Sequence, residues 1–181
     1  TNYGICAVVD GKIVVKAPDW AYVAQTWVSR EAIERSYTPK LEGEIPTIVM
    51  EFLSETEGTE YSIKPTYPPG KWFFYEQVLQ VPHYVIFNIA TGELEVYQLN
   101  SSQVYHLQQP DDNGRYWIAG LNLYLGVWEG THRNRSGYWL RWWNEQEALL
   151  LWGTELAQRE RDRAERLKAQ LRSLGIEPED S

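Results

Sequence analysis

A glutamate interrupts the most apolar run of the chain, and this one residue limits the fold more than any other. The run reads Ile48-Val49-Met50-Glu51-Phe52-Leu53. Apolar runs of this length are typical of strands that are covered on both faces of a sheet. A carboxylate buried there without a partner costs several kcal/mol. Glu51 therefore predicts a cation, a metal ion or a proton next to it inside a buried sheet.

A helix is predicted between this strand and the next one. Residues 71–80 follow a proline- and glycine-rich loop at 54–70, and residues 83–89 form a second apolar run. A strand, a helix and a strand in this order make a crossover, which favours parallel pairing of the two strands. Lys71 and Tyr75 are four residues apart and lie on one face of the helix. Because a lysine at the start of a helix opposes the helix dipole, Lys71 favours a nearby carboxylate or phosphate.

The remaining pattern predicts short strands and turns. Asp10-Gly11 divides two β-branched runs within residues 5–16, which is a strong hairpin signal. Asp19 follows Pro18 at the head of a strand-like run at 20–23, and Ser29 is predicted to cap a short helix. Further strands are predicted at 93–99, 103–108, 115–118, 138–143 and 149–152. The chain as a whole is predicted to be α/β with a β-rich flank.

The composition changes abruptly at Thr154, where a run rich in Glu, Arg, Ala, Gln and Leu begins. We therefore predict a domain at 1–153 and a charged C-terminal helix at 154–181. Leu167, Leu171 and Leu174 form one narrow apolar stripe on that helix. Two interpretations stay open: a solvated helix docked on its own domain, or self-association into a homodimer.

The charge balance argues against tight binding of bare DNA. The chain has 17 Lys and Arg against 25 Asp and Glu, which gives a net charge of −8. Proteins that bind DNA through its phosphates usually present a basic face. A DNA-binding function would therefore need a cation in the site and a local cluster of Arg133, Arg135 and Arg141.

Several other features predict structure or location rather than chemistry. The single cysteine, Cys6, cannot form an internal disulfide, which favours a reducing, cytoplasmic location. No apolar run approaches the ~20 residues of a membrane span. The three histidines lack metal-ligand spacing, so a zinc site is not expected. Trp139, Trp142 and Trp143 are expected to pack in and around the core. Glu55, Glu57 and Glu60 are expected to form a solvated acidic edge.

Four short motifs follow one another along the chain. They are Pro18-Asp19, Glu51-Phe52-Leu53-Ser54, Lys71 with Tyr75, and Val81-Pro82-His83-Tyr84. With these motifs in this order, the sequence resembles the Uma2 family of restriction-endonuclease-like proteins, within the PD-(D/E)xK nuclease superfamily, over roughly residues 1 to 127. The resemblance implies a mixed β-sheet core flanked by helices, with a β-rich extension and the C-terminal helix.

The resemblance also implies a chemistry. Asp19 and Glu51 would bind Mg²⁺ or Mn²⁺, Lys71 would complete the catalytic set, and DNA phosphodiester bonds would be the substrate. This is the arrangement of a bacterial, cytoplasmic endonuclease. The family usually carries further elements before the Pro-Asp strand, so we expect an N-terminal part to be missing here.

Two departures keep a second function open. Leu53 stands where the superfamily has the lysine of Glu-x-Lys, and Asn88 stands where the next strand of the family usually ends in an aspartate. Lys71 is the expected substitute for the missing lysine. The alternative is a catalytically degenerate protein of this fold that binds protein or nucleic acid. A carbohydrate-binding module, indicated only by the tryptophans, is a weaker third hypothesis.

Overall fold

The computed structural model describes residues 3–33, 35–53 and 59–174. The chain divides into two compact units, residues 1–147 and 148–181, and each is described by itself. The predicted boundary after residue 153 stays a prediction.

The first unit contains eleven strands among its described residues, and they form three sheets. The largest sheet has the strand order β3-β5-β6-β7-β8, and two smaller sheets have the orders β2-β1-β4 and β11-β10-β9. The mixed α/β architecture predicted from the sequence, with its β-rich part, is thus confirmed. The strands are β1 (Gly4–Val9), β2 (Lys12–Lys16), β3 (Trp20–Tyr22), β4 (Ser36–Tyr37), β5 (Ile48–Leu53), β6 (His83–Asn88), β7 (Leu94–Leu99), β8 (Tyr105–Leu107), β9 (Tyr116–Ile118), β10 (Leu123–His132) and β11 (Arg135–Trp143).

The predicted crossover joins β5 to β6, which pair in parallel from Ile48 with His83 to Leu53 with Asn88. The helix between them starts as a short α-helix, α1 (Lys71–Phe73), and continues as a π-helix (Phe74–Leu79). We call the two together the crossover helix. π-helical turns are rare and often occur at functional sites. The helix ends at Gln80, which adopts a left-handed conformation.

The five-stranded sheet separates two apolar cores. The first, the helix-side core, lies under the crossover helix and the β1–β2 hairpin and includes Val49, Tyr84 and Ile86. The second, the β-side core, includes Ile48 and Met50 and is covered by residues of the β9–β11 sheet. Because side chains alternate along a strand, β5 supplies both cores.

The hairpin predicted at 5–16 is confirmed. Asp10 and Gly11 both have positive φ, 48° and 74°. A two-residue turn with two positive φ angles matches the twist of the strands that it joins. The antiparallel pairs run from Ile5 with Lys16 to Val9 with Lys12.

Three sequence predictions for secondary structure were wrong or incomplete. No strand had been predicted at β10, although it is the longest strand of the described chain. Its hairpin with β11 turns at Arg133 and Asn134, which take positive φ without the usual glycine. Residues 149–152 form no strand. The helix predicted after Ser29 is one 3₁₀ turn, Arg30–Ala32.

The second unit consists mainly of a helix, α2 (Gly153–Ser173), and the predicted C-terminal helix is thus confirmed. Its start is capped by Glu155, which accepts a hydrogen bond from the backbone N–H of Trp152 at 2.8 Å. None of its residues is fully buried, and Leu167 and Leu174 are exposed. In the described part of the chain, no helix is long and apolar enough to cross a membrane.

Candidate active site

Glu51 is completely buried, with 0% of its surface exposed, and both of its oxygens have a partner. It lies on the same side of β5 as Val49 and Leu53, facing the crossover helix. Lys71 Nζ donates to Glu51 Oε2 at 2.9 Å, and Tyr75 OH donates to Oε1 at 3.2 Å. Of the cation, metal ion or proton that the sequence predicts beside this carboxylate, the structure shows a cation, Lys71 of the crossover helix.

Lys71 is held at the start of the crossover helix by a tightly closed loop. The N–H of Gly70 donates to the carbonyl oxygen of Lys64 at 2.8 Å, and the N–H of Phe73 donates to that of Ser62 at 3.4 Å. A Cβ atom at Gly70 would collide with the carbonyl oxygen of Ser62. Only glycine therefore allows the loop to come close enough to direct Lys71 at Glu51.

A third acid, Glu60, joins this cluster, and the sequence analysis had placed it on a solvated edge. That prediction was wrong for Glu60, which is only 7% exposed, whereas Glu55 and Glu57 lie outside the described residues. Glu60 Oε1 lies 3.5 Å from Lys71 Nζ and accepts from Thr59 Oγ1 at 3.2 Å. Its other oxygen, Oε2, is buried and makes no hydrogen bond within the described chain.

Asp19 approaches the same strand from the edge of the sheet. Trp20 pairs with Met50 in the antiparallel β3–β5 ladder, so Asp19 comes next to Glu51 at the end of that ladder. Its Oδ2 accepts a hydrogen bond from the backbone N–H of Phe52 at 2.7 Å. Asp19 itself is exposed, and a cleft of about 620 Å³ opens beside it. The fold thus brings together Asp19, Glu51 and Lys71, the three residues that the sequence analysis selected.

Burial is the largest influence on the pKa values of Glu51, Lys71 and Tyr75, and neighbouring charges come second. Burial raises the pKa of Glu51 to about 7, with a smaller upward contribution from Asp19, although Lys71 and Tyr75 oppose the shift. Burial lowers the pKa of Lys71, but Glu51, Glu60 and Asp19 together outweigh burial and raise that pKa above its usual value. Burial and the charge of Glu51 also raise the pKa of Tyr75. Near pH 7 the cluster can therefore exchange a proton at Glu51 while Lys71 stays charged.

The donor set fits a hard divalent cation that keeps part of its water shell. No group of three His, Cys, Asp or Glu side chains comes together within residues 3–33, 35–53 and 59–174 in a way that could hold a metal. Mg²⁺, however, commonly uses only one or two carboxylates and retains several waters. Each carboxylate oxygen has two lone pairs, so Glu51 can accept hydrogen bonds from Lys71 and Tyr75 and still offer a lone pair to a cation beside Asp19.

A protein-family model decides the relationship of this chain. The model is described as "Putative restriction endonuclease" and matches residues 9–131, more than half of the chain. The chain belongs to the Uma2 family. The suspected resemblance is thereby confirmed, and the restriction-endonuclease-like fold agrees with it. Comparisons with curated proteins and with solved structures gave no match.

The two departures from the Uma2 motifs have clear structural settings. Leu53 is on the Glu51 side of β5 and packs against the helix-side core. Lys71 supplies the ammonium group next to Glu51 from the crossover helix instead. Asn88 accepts hydrogen bonds from the backbone N–H groups of Ala90 and Thr91, at 3.0 and 3.3 Å, and so stabilises the turn before β7.

The arginines, histidines and tryptophans considered from the sequence do not join the Glu51 cluster in the described residues. Arg141 is 1% exposed, with its guanidinium over the ring of Trp128, so it cannot join Arg133 and Arg135 in a surface cluster. His83 is buried, its Nδ1 lies 3.2 Å from the carbonyl oxygen of Thr47, and burial lowers its pKa. The aromatic strand of the β10–β11 hairpin packs as expected: Trp142 contacts the β-side core, Trp143 is buried, and Trp139 donates to the carbonyl oxygen of Gly130.

Proposed function

We propose that this chain is a metal-dependent endonuclease that hydrolyses DNA phosphodiester bonds. In this proposal Asp19 and Glu51 hold Mg²⁺ or Mn²⁺, and Lys71 is the third catalytic residue. The observation that carries the proposal is the fully buried Glu51, hydrogen-bonded to Lys71 and next in space to Asp19. Membership of a family described as putative restriction endonucleases supports it.

Each residue has a distinct task in this proposal. A divalent cation would supply positive charge for the phosphate and make water more acidic. Asp19 and Glu51 would orient that cation at the edge of the sheet. The Lys71 ammonium would donate to a phosphate oxygen or orient the attacking water, because charge increases on the phosphate during the reaction. Tyr75 would hold the Glu51 carboxylate in position through its hydroxyl group.

Glu60 is a positioning residue in the same proposal. Its Oε1 lies 3.5 Å from Lys71 Nζ, so the ammonium group is paired with two carboxylates, Glu60 and Glu51. An ammonium group fixed in this way keeps its charge well above neutral pH. Lys71 would therefore act as a fixed cation and not as a proton donor.

The test is nicking of supercoiled plasmid DNA by the full chain with Mg²⁺ or Mn²⁺. We expect cleavage by the wild-type chain and at least a hundredfold loss in Asp19→Ala, Glu51→Gln and Lys71→Met. Glu95→Gln is the matched control, because Glu95 is an acid of the same sheet that accepts hydrogen bonds from the hydroxyl groups of Tyr61 and Tyr97. Equal cleavage by the wild-type chain and Glu51→Gln would refute the assignment.

A second candidate function is supported by the sequence departures. Leu53 leaves the Glu-x-Lys position without a charge, and the net charge of −8 is unfavourable for DNA. A non-catalytic protein of this fold, binding protein or nucleic acid, would keep the Glu51–Lys71 pair for stability alone. Uptake of Mg²⁺ or Mn²⁺ separates the two functions, because the non-catalytic protein needs no cation.

For the assembly we propose a homodimer formed through α2. Leu167 and Leu174 are exposed and lie with Leu171 along one stripe of the helix. A second copy of the same stripe would cover these side chains. Sedimentation of the full chain should give the dimer mass, and Leu171→Glu should give the monomer mass. A monomeric wild-type chain would contradict this assembly.

A further inference from the structure

Four lysines from three parts of the first unit lie on the segments that pack around the helix-side core. Lys12 and Lys16 stand at the two ends of β2, Lys64 lies in the loop before the crossover helix, and Lys71 begins that helix. They are far apart in sequence, so their proximity is a product of the fold. We call Lys12, Lys16 and Lys64 the lysine face.

Because side chains alternate between the two faces of β2, Lys12 and Lys16 lie on the face that packs on the helix-side core. Lys12, Val14 and Lys16 share one face of the strand, because they are two residues apart. Val14 is buried in the helix-side core with Phe74 and Tyr75 of the crossover helix. The lysines on either side of Val14 therefore emerge at the rim of the core that contains Glu51.

The loop that carries Lys64 packs against the same hairpin. Lys12 Nζ lies 4.8 Å from the centre of the Tyr67 ring. The carbonyl oxygen of Lys64 accepts the hydrogen bond from Gly70, the residue directly before Lys71. Lys64 and Tyr67 are both exposed, Tyr67 at 54%. The loop thus connects the lysines of β2 to Lys71 and adds an exposed aromatic ring.

On the described part of this face, lysines outnumber acids. Lys16 is partly buried and is repelled by Lys71 and Lys64, and burial together with that repulsion lowers its pKa. Within residues 4–16 and 59–70, the three lysines Lys12, Lys16 and Lys64 stand against two acids, Asp10 and Glu60. Glu60 is already engaged with Lys71. A group of lysines next to the site is notable in a chain whose net charge is −8.

We propose that the lysine face binds the phosphates of a nucleic acid strand and guides the strand to Lys71. This inference rests on the proposed function, which requires a phosphodiester at Glu51. At about 3.3 Å per residue, Lys12 and Lys16 are separated by about 13 Å along β2. That length corresponds to about four nucleotides at an axial rise of about 3.4 Å per nucleotide. Tyr67 is placed to stack on a base of the same strand.

The experiment measures binding without cleavage. The full chain in EDTA is titrated into a labelled 20-nucleotide DNA, single-stranded and duplex, at several salt concentrations. Lys16→Glu and Lys64→Glu should each weaken binding about tenfold at 0.1 M salt and lower the salt slope by about one for each lost phosphate contact. Tyr67→Ala should weaken single-strand binding more than duplex binding.

The matched control is Lys40→Glu, which reverses an exposed charge on the turn before β5. It should leave both the affinity and the salt slope unchanged. The inference is overturned if Lys40→Glu costs as much as Lys64→Glu, or if the wild-type chain binds neither DNA. Lys64 is exposed, so its variant should fold, and circular dichroism checks this.

The outcome is separable from that of the proposed function. Binding that depends on Lys16 and Lys64 without any plasmid cleavage would support the lysine face and refute the nuclease. Cleavage that persists in Lys16→Glu and Lys64→Glu, with unchanged substrate affinity, would support the nuclease and refute the lysine face.

Discussion

The two faces of β5 differ in the side chains that they bury: one is apolar and the other includes the charged residue Glu51. On the β-side, Ile48, Met50 and Phe52 belong to an apolar core. On the helix side, the position between Val49 and Leu53 holds Glu51, with a lysine and a tyrosine hydroxyl within hydrogen-bond distance. One strand therefore carries an ordinary core on one side and a charged cluster on the other.

Burial alone therefore does not exclude an acid, but burial without a partner does. Each of the three acids of the site has a partner: Lys71 and Tyr75 for Glu51, Lys71 for Glu60, and the N–H of Phe52 for Asp19. The crossover helix supplies most of these donors. Burying these charged groups carries a desolvation cost, and apolar residues of similar volume would stabilise the sheet at least as well. The charged cluster therefore favours a catalytic or binding role over a purely structural one.

The largest effect is expected when a carboxylate is moved to the other face. Met50→Glu places an acid among the apolar side chains of the β-side core and should lower the free energy of unfolding by about 5 kcal/mol or prevent folding. Met50→Leu, which conserves volume, should cost less than about 1.5 kcal/mol. Urea unfolding measures both, and similar losses in the two variants would show that the faces do not differ.

Removal of the cation should be the next largest effect. Lys71→Met leaves Glu51 and Glu60 buried without their ammonium group and should cost about 3–4 kcal/mol at pH 8. The cost should be smaller at pH 5, where Glu51 takes up a proton. Lys40→Met, which removes an exposed lysine on a turn, should be nearly neutral at both pH values. An equal loss for Lys71→Met at pH 5 and pH 8 would argue against a charged partner.

A titration of Glu51 should appear as pH-dependent stability. Its pKa is raised from 4.5 to about 7 in the folded chain. Between these pH values the unfolded chain gives up the proton first, so metal-free protein should lose stability as pH rises, by about 3 kcal/mol in all. Glu51→Gln cannot titrate. The difference in unfolding free energy between the wild-type chain and this variant should therefore change across pH 4.5–7, and a constant difference would disprove the shift.

The smallest effect concerns the second donor to Glu51. Tyr75→Phe removes one hydrogen bond to a carboxylate but leaves the Lys71 pair, and it should cost about 1.5 kcal/mol. Tyr84→Phe is the matched variant, because its hydroxyl donates to the neutral carbonyl oxygen of Glu60 at 2.9 Å. It should cost somewhat less. Chemical denaturation measures the free energy of unfolding of both variants. A larger loss in Tyr84→Phe would show that its hydrogen bond, and not that of Tyr75 to Glu51, is the stronger one.

Local patterns predicted the part of the fold that holds the site. The apolar run around Glu51, the helix that begins at Lys71 and the Asp10-Gly11 turn each act over a few residues, and each appears where the pattern indicated. The need of Glu51 for a cation, a metal ion or a proton also follows from burial alone. Asp19 could be paired with it only through the family motif, because no local rule brings an edge strand beside β5.

Features that depend on distant contacts were missed. Glu60 follows a stretch of acids and glycine that reads as solvated, and its burial depends on the loop folding back onto Lys71 and Tyr84. β10 contains Gly126, which makes room for Trp143 and Arg115, and glycine in a strand weakens the sequence signal. The burial of Arg141 requires the aromatic ring of Trp128 from the neighbouring strand.

The most direct test of a cation site at Asp19 and Glu51 is a calorimetric titration of the full chain with Mn²⁺. We predict saturable uptake at pH 8 by the wild-type chain, uptake that is lost in Glu51→Gln and Asp19→Ala and kept in Glu95→Gln. No uptake by the wild-type chain, or equal uptake in all four proteins, would contradict the claim that Asp19 and Glu51 together hold a divalent cation.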